Sequence, residues 1–272
     1  DDAINDAINI VSNSLETSKY SAIVVDEAQD FGMRAFKLLR TLVDEGKNDL
    51  FIVGDAHQRI YGHKVVLGQC EINVRGRSKK LKLNYRTTDE IRKWAVALFN
   101  GENIDDLDEG TDSNRDYKSL YNGPKPEVKN FETFDEEVTY IHQYIENIKK
   151  TDNESKICLV VRTQKLVDVY SDYFSKSNMK TIKISRNSKD DLSNTDVRIA
   201  TMHRVKGLDF DHVIIASMNK GIVPLETIEK SDEDLINSEN LQKEKSLVFV
   251  AATRAKKSLL VTSYGITSEI LR

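Results

Sequence analysis

No run of about eighteen apolar residues occurs in the 272-residue chain, so no segment reads as a membrane-spanning helix. Cysteine is scarce. Cys70 and Cys158 are the two present, and they lie far apart in apolar or mixed settings. They read as reduced packing residues rather than a bridge or a metal pair, which points to the cytoplasm. Three prolines and no low-complexity tract argue against disorder. The opening residues Asp1-Asp2-Ala3-Ile4-Asn5 lack the basic and apolar regions of a signal peptide. What is present, 39% apolar and 31% charged residues, fits a globular fold of one large or two small domains.

The net charge of −4 excludes a uniformly basic surface. The charge is uneven, however. Arg75, Arg77, Lys79, Lys80, Lys82 and Arg86 share a stretch without acids, whereas Glu102, Asp105, Asp106, Asp108, Glu109, Asp112 and Asp116 crowd another. A local basic groove can bind phosphates despite an acidic total, and two solvated faces of opposite sign would read the same way.

Apolar periodicity predicts helices over residues 1–19, 33–43, 90–99, 135–150, 164–176 and 241–252. Short β-branched or apolar runs predict strands at 21–25, 50–53, 81–83, 128–131, 156–161, 181–184, 197–201, 212–216 and 258–262. The acidic, glycine- and proline-containing stretch 101–126 reads as a linker or surface loop. Strands alternating with helices indicate parallel sheets, and the series occurs twice. The expected architecture is α/β: a first lobe over 1–100, the linker 101–126, and a second lobe over 127–272, with a cleft between the lobes.

Chemistry gathers where predicted strands or helices end. Ile23-Val24-Val25 runs into Asp26-Glu27-Ala28-Gln29-Asp30. An acidic pair at a strand end can hold Mg²⁺ through Asp26 and orient or deprotonate water through Glu27; a solvated acidic turn would look similar. The next buried strand runs into Val53-Gly54-Asp55-Ala56-His57-Gln58-Arg59-Ile60-Tyr61-Gly62. Here Gln58 could meet a terminal phosphate or the attacking water, and Tyr61 could stack on a base; a polar loop with a packing tyrosine is the plainer reading. Leu83-Asn84-Tyr85-Arg86-Thr87-Thr88 places a ring beside a guanidinium, which suits a nucleotide but is common on surfaces. Ala200-Thr201-Met202-His203-Arg204-Val205-Lys206-Gly207-Leu208-Asp209-Phe210 concentrates phosphate-binding side chains and a flexible glycine. Val248-Phe249-Val250-Ala251-Ala252-Thr253-Arg254-Ala255-Lys256-Lys257 ends a helix with an arginine that could offset charge on a γ-phosphate, or simply complement the helix dipole.

Together and in this order, the five stretches resemble the UvrD/Rep/PcrA-type superfamily 1 DNA helicases. The matching pieces span residues 23 to 257, nearly the whole chain. The resemblance implies two RecA-like (P-loop NTPase) lobes, the first incomplete, with ATP and Mg²⁺ between them and single-stranded DNA or a single/double-strand junction across their tops. By the same resemblance, Asp26 binds Mg²⁺, Glu27 is the catalytic base and Gln58 senses the γ-phosphate. Tyr85 stacks on adenine, Arg86 contacts the γ-phosphate, and Arg254 is the arginine finger. Lys206 and Gly207 belong to the nucleotide loop. Asp209 stands where the family usually has a glutamate that meets the ribose, one methylene longer. Tyr61, His63, Lys64, Thr201 and His203 line the DNA track. The family often has an aromatic residue and then arginine where this chain has His63-Lys64, so stacking there should be weaker and phosphate contact less bidentate.

Two features depart from the family pattern. No Gly-x-x-x-x-Gly-Lys-Ser/Thr occurs; at the nearest match, Gly46-Lys47, Thr41 replaces the first glycine and Asn48 the hydroxyl residue. The family carries that loop before the Asp-Glu strand. The chain is therefore expected to be a fragment that needs an upstream Walker A segment and is inactive alone. Only Ser185 to Asp196 separates two strands where larger members insert a subdomain, so a compact second lobe is expected. The implied activity of the intact protein is ATP-driven 3′-to-5′ translocation on single-stranded DNA. A non-catalytic nucleic-acid-binding or regulatory module is the rival, and an ATPase acting on something other than DNA is a third reading.

Overall fold

A computed structural model describes residues 2–13, 20–61, 65–101, 117–185, 194–226 and 234–271, with side chains of the last segment described from 237. These residues form two compact units, 2–81 with Gly101, and 82–100 with 117–271. The acidic residues between Glu102 and Asp116 lie outside the described residues.

The first unit opens with helix α1 (Asp2–Asn13) and then forms a parallel pair, β1 (Ile23–Val25) and β2 (Leu50–Ile52), in the register Ile23↔Leu50, Val24↔Phe51 and Val25↔Ile52. Helix α2 (Met33–Thr41) crosses between the strands, as a parallel connection requires. Phe36 on α2 packs with Val25, Ala28, Val65, Leu67, Cys70 and Ile72 in one buried cluster. Both cysteines are free and buried, as their apolar settings predict.

The second unit is built on a six-stranded sheet in the order β5-β10-β9-β6-β8-β7, every described pairing of which is parallel. Its strands are β5 (Glu127–Phe131), β6 (Ile157–Val161), β7 (Thr181–Lys183), β8 (Val197–Thr201), β9 (Phe210–Ile215) and β10 (Ala255–Tyr264). The helices are α4 (Phe134–Thr151), α5 (Gln164–Lys176) and α6 (Asp234–Ala252). All five residues of β6 are buried, the mark of a central parallel strand covered on both faces. Val138, Ile141 and Ile145 of α4 and Val167, Tyr170 and Phe174 of α5 fill one core against it. β7 and β8 pair directly, Thr181↔Val197 through Lys183↔Ile199.

Two expectations need correction. The third strand is not 81–83 but β3 (Leu83–Thr88), so Tyr85 and Arg86 lie within a strand rather than after it. The stretch expected to be all linker contains β4 (Lys118–Tyr121), which pairs with β3 in parallel. Composition misled there, because the acidic and glycine-rich flanks hide a Lys-Ser-Leu-Tyr strand only four residues long. β3, β4 and helix α3 (Asp89–Ala97) all belong to the second unit, and Phe99, just past α3, meets Phe249 of α6 with ring centroids 5.7 Å apart.

Candidate functional site

In the first unit the chain leaves β1 and β2 at the same edge. The main chain holds the two exits together: Val53 N donates to Val25 O at 2.8 Å and Ala28 N to Val53 O at 3.0 Å. Asp26 and Glu27 emerge here with exposed side chains. Glu27 takes left-handed backbone angles, φ 52° and ψ 37°, an uncommon conformation for a residue other than glycine. Asp26 Oδ1 accepts from Glu27 N at 2.8 Å, which offsets part of that strain locally. Strained residues of this kind gather at functional sites.

The residue that organises this corner is Gln29, only 2% exposed. Its Nε2 donates to Glu27 Oε2, and its Oε1 accepts from Asp55 N at 2.9 Å. One amide thus ties the carboxylate after β1 to the loop after β2. Asp55 in turn gathers its own loop: Oδ1 accepts from His57 N at 3.0 Å, and Oδ2 from Gln58 Nε2 at 2.8 Å. Burial pushes the Asp55 carboxyl up, but the His57 bond and charge and the Gln58 amide outweigh it and leave it below the usual carboxylate range. Of the residues that the sequence marks as candidates, Asp26, Glu27 and Gln58 meet in this corner. Sequence patterning marks neither Gln29 nor Asp55, although both stand inside the quoted stretches. Tyr61 is 59% exposed nearby in sequence, and His63 and Lys64 lie outside the described residues.

In the second unit, Tyr85, Arg86 and Asp209 form a second group. Asn84 Oδ1 accepts from the backbone N of Arg86 at 2.8 Å and of Thr87 at 3.3 Å, while Asn84 Nδ2 donates to Thr87 Oγ1 at 2.7 Å. This turn lies where the β3–β4 register shifts and leaves the Tyr85 ring 67% exposed. Arg86 Nε sits 3.0 Å from Asp209 Oδ1, and Lys256 Nζ 3.7 Å from Asp209 Oδ2. The same loop holds Lys206, half-buried, and Gly207, whose φ of 83° suits glycine.

Thr201 ends β8 opposite Val161, and His203 follows, half-buried. Burial first, then the charge of Arg162, lowers the His203 imidazole below its ordinary range, against the pull of Glu244. Arg162 grips Glu244 bidentately, Nε to Oε2 at 2.9 Å and Nη2 to Oε1 at 2.6 Å. The two residues stand 82 positions apart, and no local pattern links them, so this clamp is invisible in the sequence. Arg254 is 2% exposed, and its Nε donates to Val250 O at 3.1 Å. The guanidinium therefore lies against its own helix end.

A further buried network supports the β9 exit. Glu137, wholly buried, accepts from Tyr170 Oη at 2.6 Å and from Ser217 N at 3.0 Å. Burial and then the Glu137 charge push the Tyr170 hydroxyl well above the usual tyrosine range. Among the described residues no group of three or more His, Cys, Asp or Glu could cage a metal. Mg²⁺ asks for less: one or two carboxylates complemented by water and phosphate, which the exposed Asp26–Glu27 pair fits.

Two family models and several curated relatives match this chain. The UvrD-like helicase C-terminal domain matches residues 79–188 and 180–265, and the UvrD/REP helicase N-terminal domain matches residues 8–66. An ATP-dependent DNA helicase Rep of Buchnera aphidicola is 39% identical over 66 residues, 24% of this chain and 9% of that protein. A probable DNA helicase of Mycoplasma pneumoniae is 22% identical over 268 residues, 93% of this chain and 45% of that protein. The chain thus spans less than half the length of either relative. The solved C-terminal domain of a possible DNA helicase from Lactobacillus plantarum WCFS1 overlays 69% of this chain and 92% of its own, at a TM-score of 0.49 and 16% identity. Because the C-terminal family model runs over most of residues 79–265, more than half of the sequence, the chain belongs to the UvrD-like helicase family.

Proposed function

We propose that this chain is part of an ATP-dependent DNA helicase that moves 3′ to 5′ along single-stranded DNA. The observation that carries the proposal is the Gln29 bridge. It holds Glu27 to the loop that bears Gln58, so a candidate base and a candidate γ-phosphate sensor share one hydrogen-bonded corner. In this reading bound ATP with Mg²⁺ supplies the phosphoryl group and the metal charge. Asp26 would hold the metal, Glu27 would orient the water that attacks the γ-phosphorus and take its proton as ADP leaves, and Gln58 would report the γ-phosphate. The exposed Tyr85 ring serves the base, while Arg86 and Arg254 serve the phosphate charge. Asp209, Lys206 and Gly207 complete the nucleotide loop. Tyr61, His63, Lys64, Thr201 and His203 contact the DNA strand or junction.

Asp209 already neutralises Arg86 and Lys256 in the second unit. Its shorter side chain is therefore assigned to holding these cations as well as to the ribose. The rival is a nucleic-acid-binding module without catalysis. ATP turnover by the full-length protein, measured with and without oligo(dT), separates the two. The proposal expects single strands to raise turnover. Absent turnover with intact oligo(dT) binding would favour the module, and turnover indifferent to single strands would favour an ATPase with another substrate.

A further inference from the structure

We infer that Arg162 and Glu244 form a positioning device that couples α6 to the loop 202–209 and sets the placement of His203. The inference rests on the helicase reading and deepens it. The two residues come from separate elements. Arg162 directly follows β6, and Glu244 sits within α6. Their side chains are 12% and 3% exposed, and the grip is a two-pronged guanidinium–carboxylate fork. Desolvation cancels much of the attraction in a buried ion pair, so such a pair is a poor source of stability. What the fork supplies is a fixed direction and distance.

The loop 202–209 is fastened at both ends. At its start Met202 N donates to Val161 O at 3.0 Å, one residue before Arg162. At its far end Phe210 N donates to Arg254 O at 3.0 Å, just past the end of α6. The pairing Val161↔Thr201 and the Met202 N to Val161 O bond put Arg162 and His203 on adjoining strand exits, and the charges of both Arg162 and Glu244 act on the His203 ring. α6 is therefore tied to both anchor points of this loop, through Glu244 to Arg162 next to Val161 and through the chain just past its end to Phe210. With a helical rise of 1.5 Å per residue, Glu244 lies roughly 12 Å along α6 from its end at Ala252. A displacement of α6 is passed toward Phe210 through the Arg254 carbonyl and to Arg162, at the strand exit beside Met202, through the fork. Arg162 and Glu244 thus act through His203 and need touch neither nucleotide nor DNA.

The test combines NMR titration of His203 with fluorescence anisotropy of labelled oligo(dT), both on the chain as it stands. R162Q removes a cation and should raise the His203 midpoint, whereas E244Q removes an anion and should lower it. R162E should weaken oligo(dT) binding about tenfold, and R162E/E244R, which restores the fork in reverse, should recover it. A His203 midpoint unmoved in both single variants overturns the inference. So does a folded R162E/E244R that stays weak, because Arg162 would then be touching the phosphate itself. If the reversed pair does not fold, R162K replaces it: a retained charge without the fork should give intermediate affinity, and unchanged affinity overturns the inference. His203→Ala separates the two levels. Unchanged oligo(dT) affinity in that variant removes the DNA role of His203, and the titration alone then decides whether the fork positions it.

Discussion

The Gln29 side chain donates to Glu27 and accepts from the backbone of Asp55, so its removal breaks two hydrogen bonds at once. Gln29→Leu keeps the bulk and loses both bonds. Leaving the part-buried Asp55 amide without its acceptor should cost about 1–3 kcal/mol, read as a shift in the urea unfolding curve. An unchanged midpoint would mean the bridge carries no weight. Asp49 offers a pH test in the same unit. The hydrogen bond from Arg40, at 2.6 Å, lowers its carboxyl to about 2 against an ordinary 3.8, despite the opposing effect of burial. A depressed folded pKa gives stability that is complete above the unfolded value and is lost as pH falls through the folded one. The gap in urea midpoint between the unaltered chain and Asp49→Asn should therefore be constant above pH 5 and narrow between pH 4 and about 2. A gap that widens on acidification would contradict the assignment. At this scale the sequence marks Asp26, Glu27 and Gln58 but not their link, because a glutamine inside an acidic stretch carries no sign of its two partners.

Elements are legible where one face is buried and the other wet. α4 is the clearest example, with acids in its first turn, lysines in its last and Val138, Ile141 and Ile145 on one face. Its start is a capping box: Thr133 Oγ1 accepts from Glu136 N at 3.3 Å, and the Glu136 carboxylate returns to Thr133 N. Thr133→Ala should cost about 1 kcal/mol in urea unfolding, and Thr133→Ser almost nothing. Equal losses in both would point to packing of the threonine methyl instead. α6 is only half legible. From Leu247 to Ala252 every residue is buried, so its apolar residues follow no stripe. The polar first half, before residue 241, carries no periodic signal at all. β4 escapes for a related reason: only one of its four residues is even half-buried, and what defines it is pairing with β3. Pairing between segments about 35 positions apart leaves no local trace.

At the scale of the molecule, the family is legible in five ordered stretches, while the compact units are not. Composition places the lobe boundary in the acidic region after residue 100, whereas β3 and α3 group with the second unit from Lys82 onward. Composition marks exposed chain, and it cannot register that Phe99 packs on Phe249. No helix among the described residues is long and apolar enough to cross a membrane. The proposed motor needs both units, since its candidate base lies in one and its candidate arginine finger in the other. Arg254→Ala should accordingly lower turnover by about 10³–10⁵-fold and change nucleotide affinity far less. Equal losses in both would assign Arg254 to binding alone.

The most direct measurement is single-strand-stimulated ATP turnover by the full-length protein, with and without Glu27→Gln. Loss of the base should reduce turnover about 10²–10⁴-fold while ATP and oligo(dT) still bind. Undiminished, DNA-stimulated turnover in Glu27→Gln would contradict a catalytic role for the carboxylate that Gln29 holds.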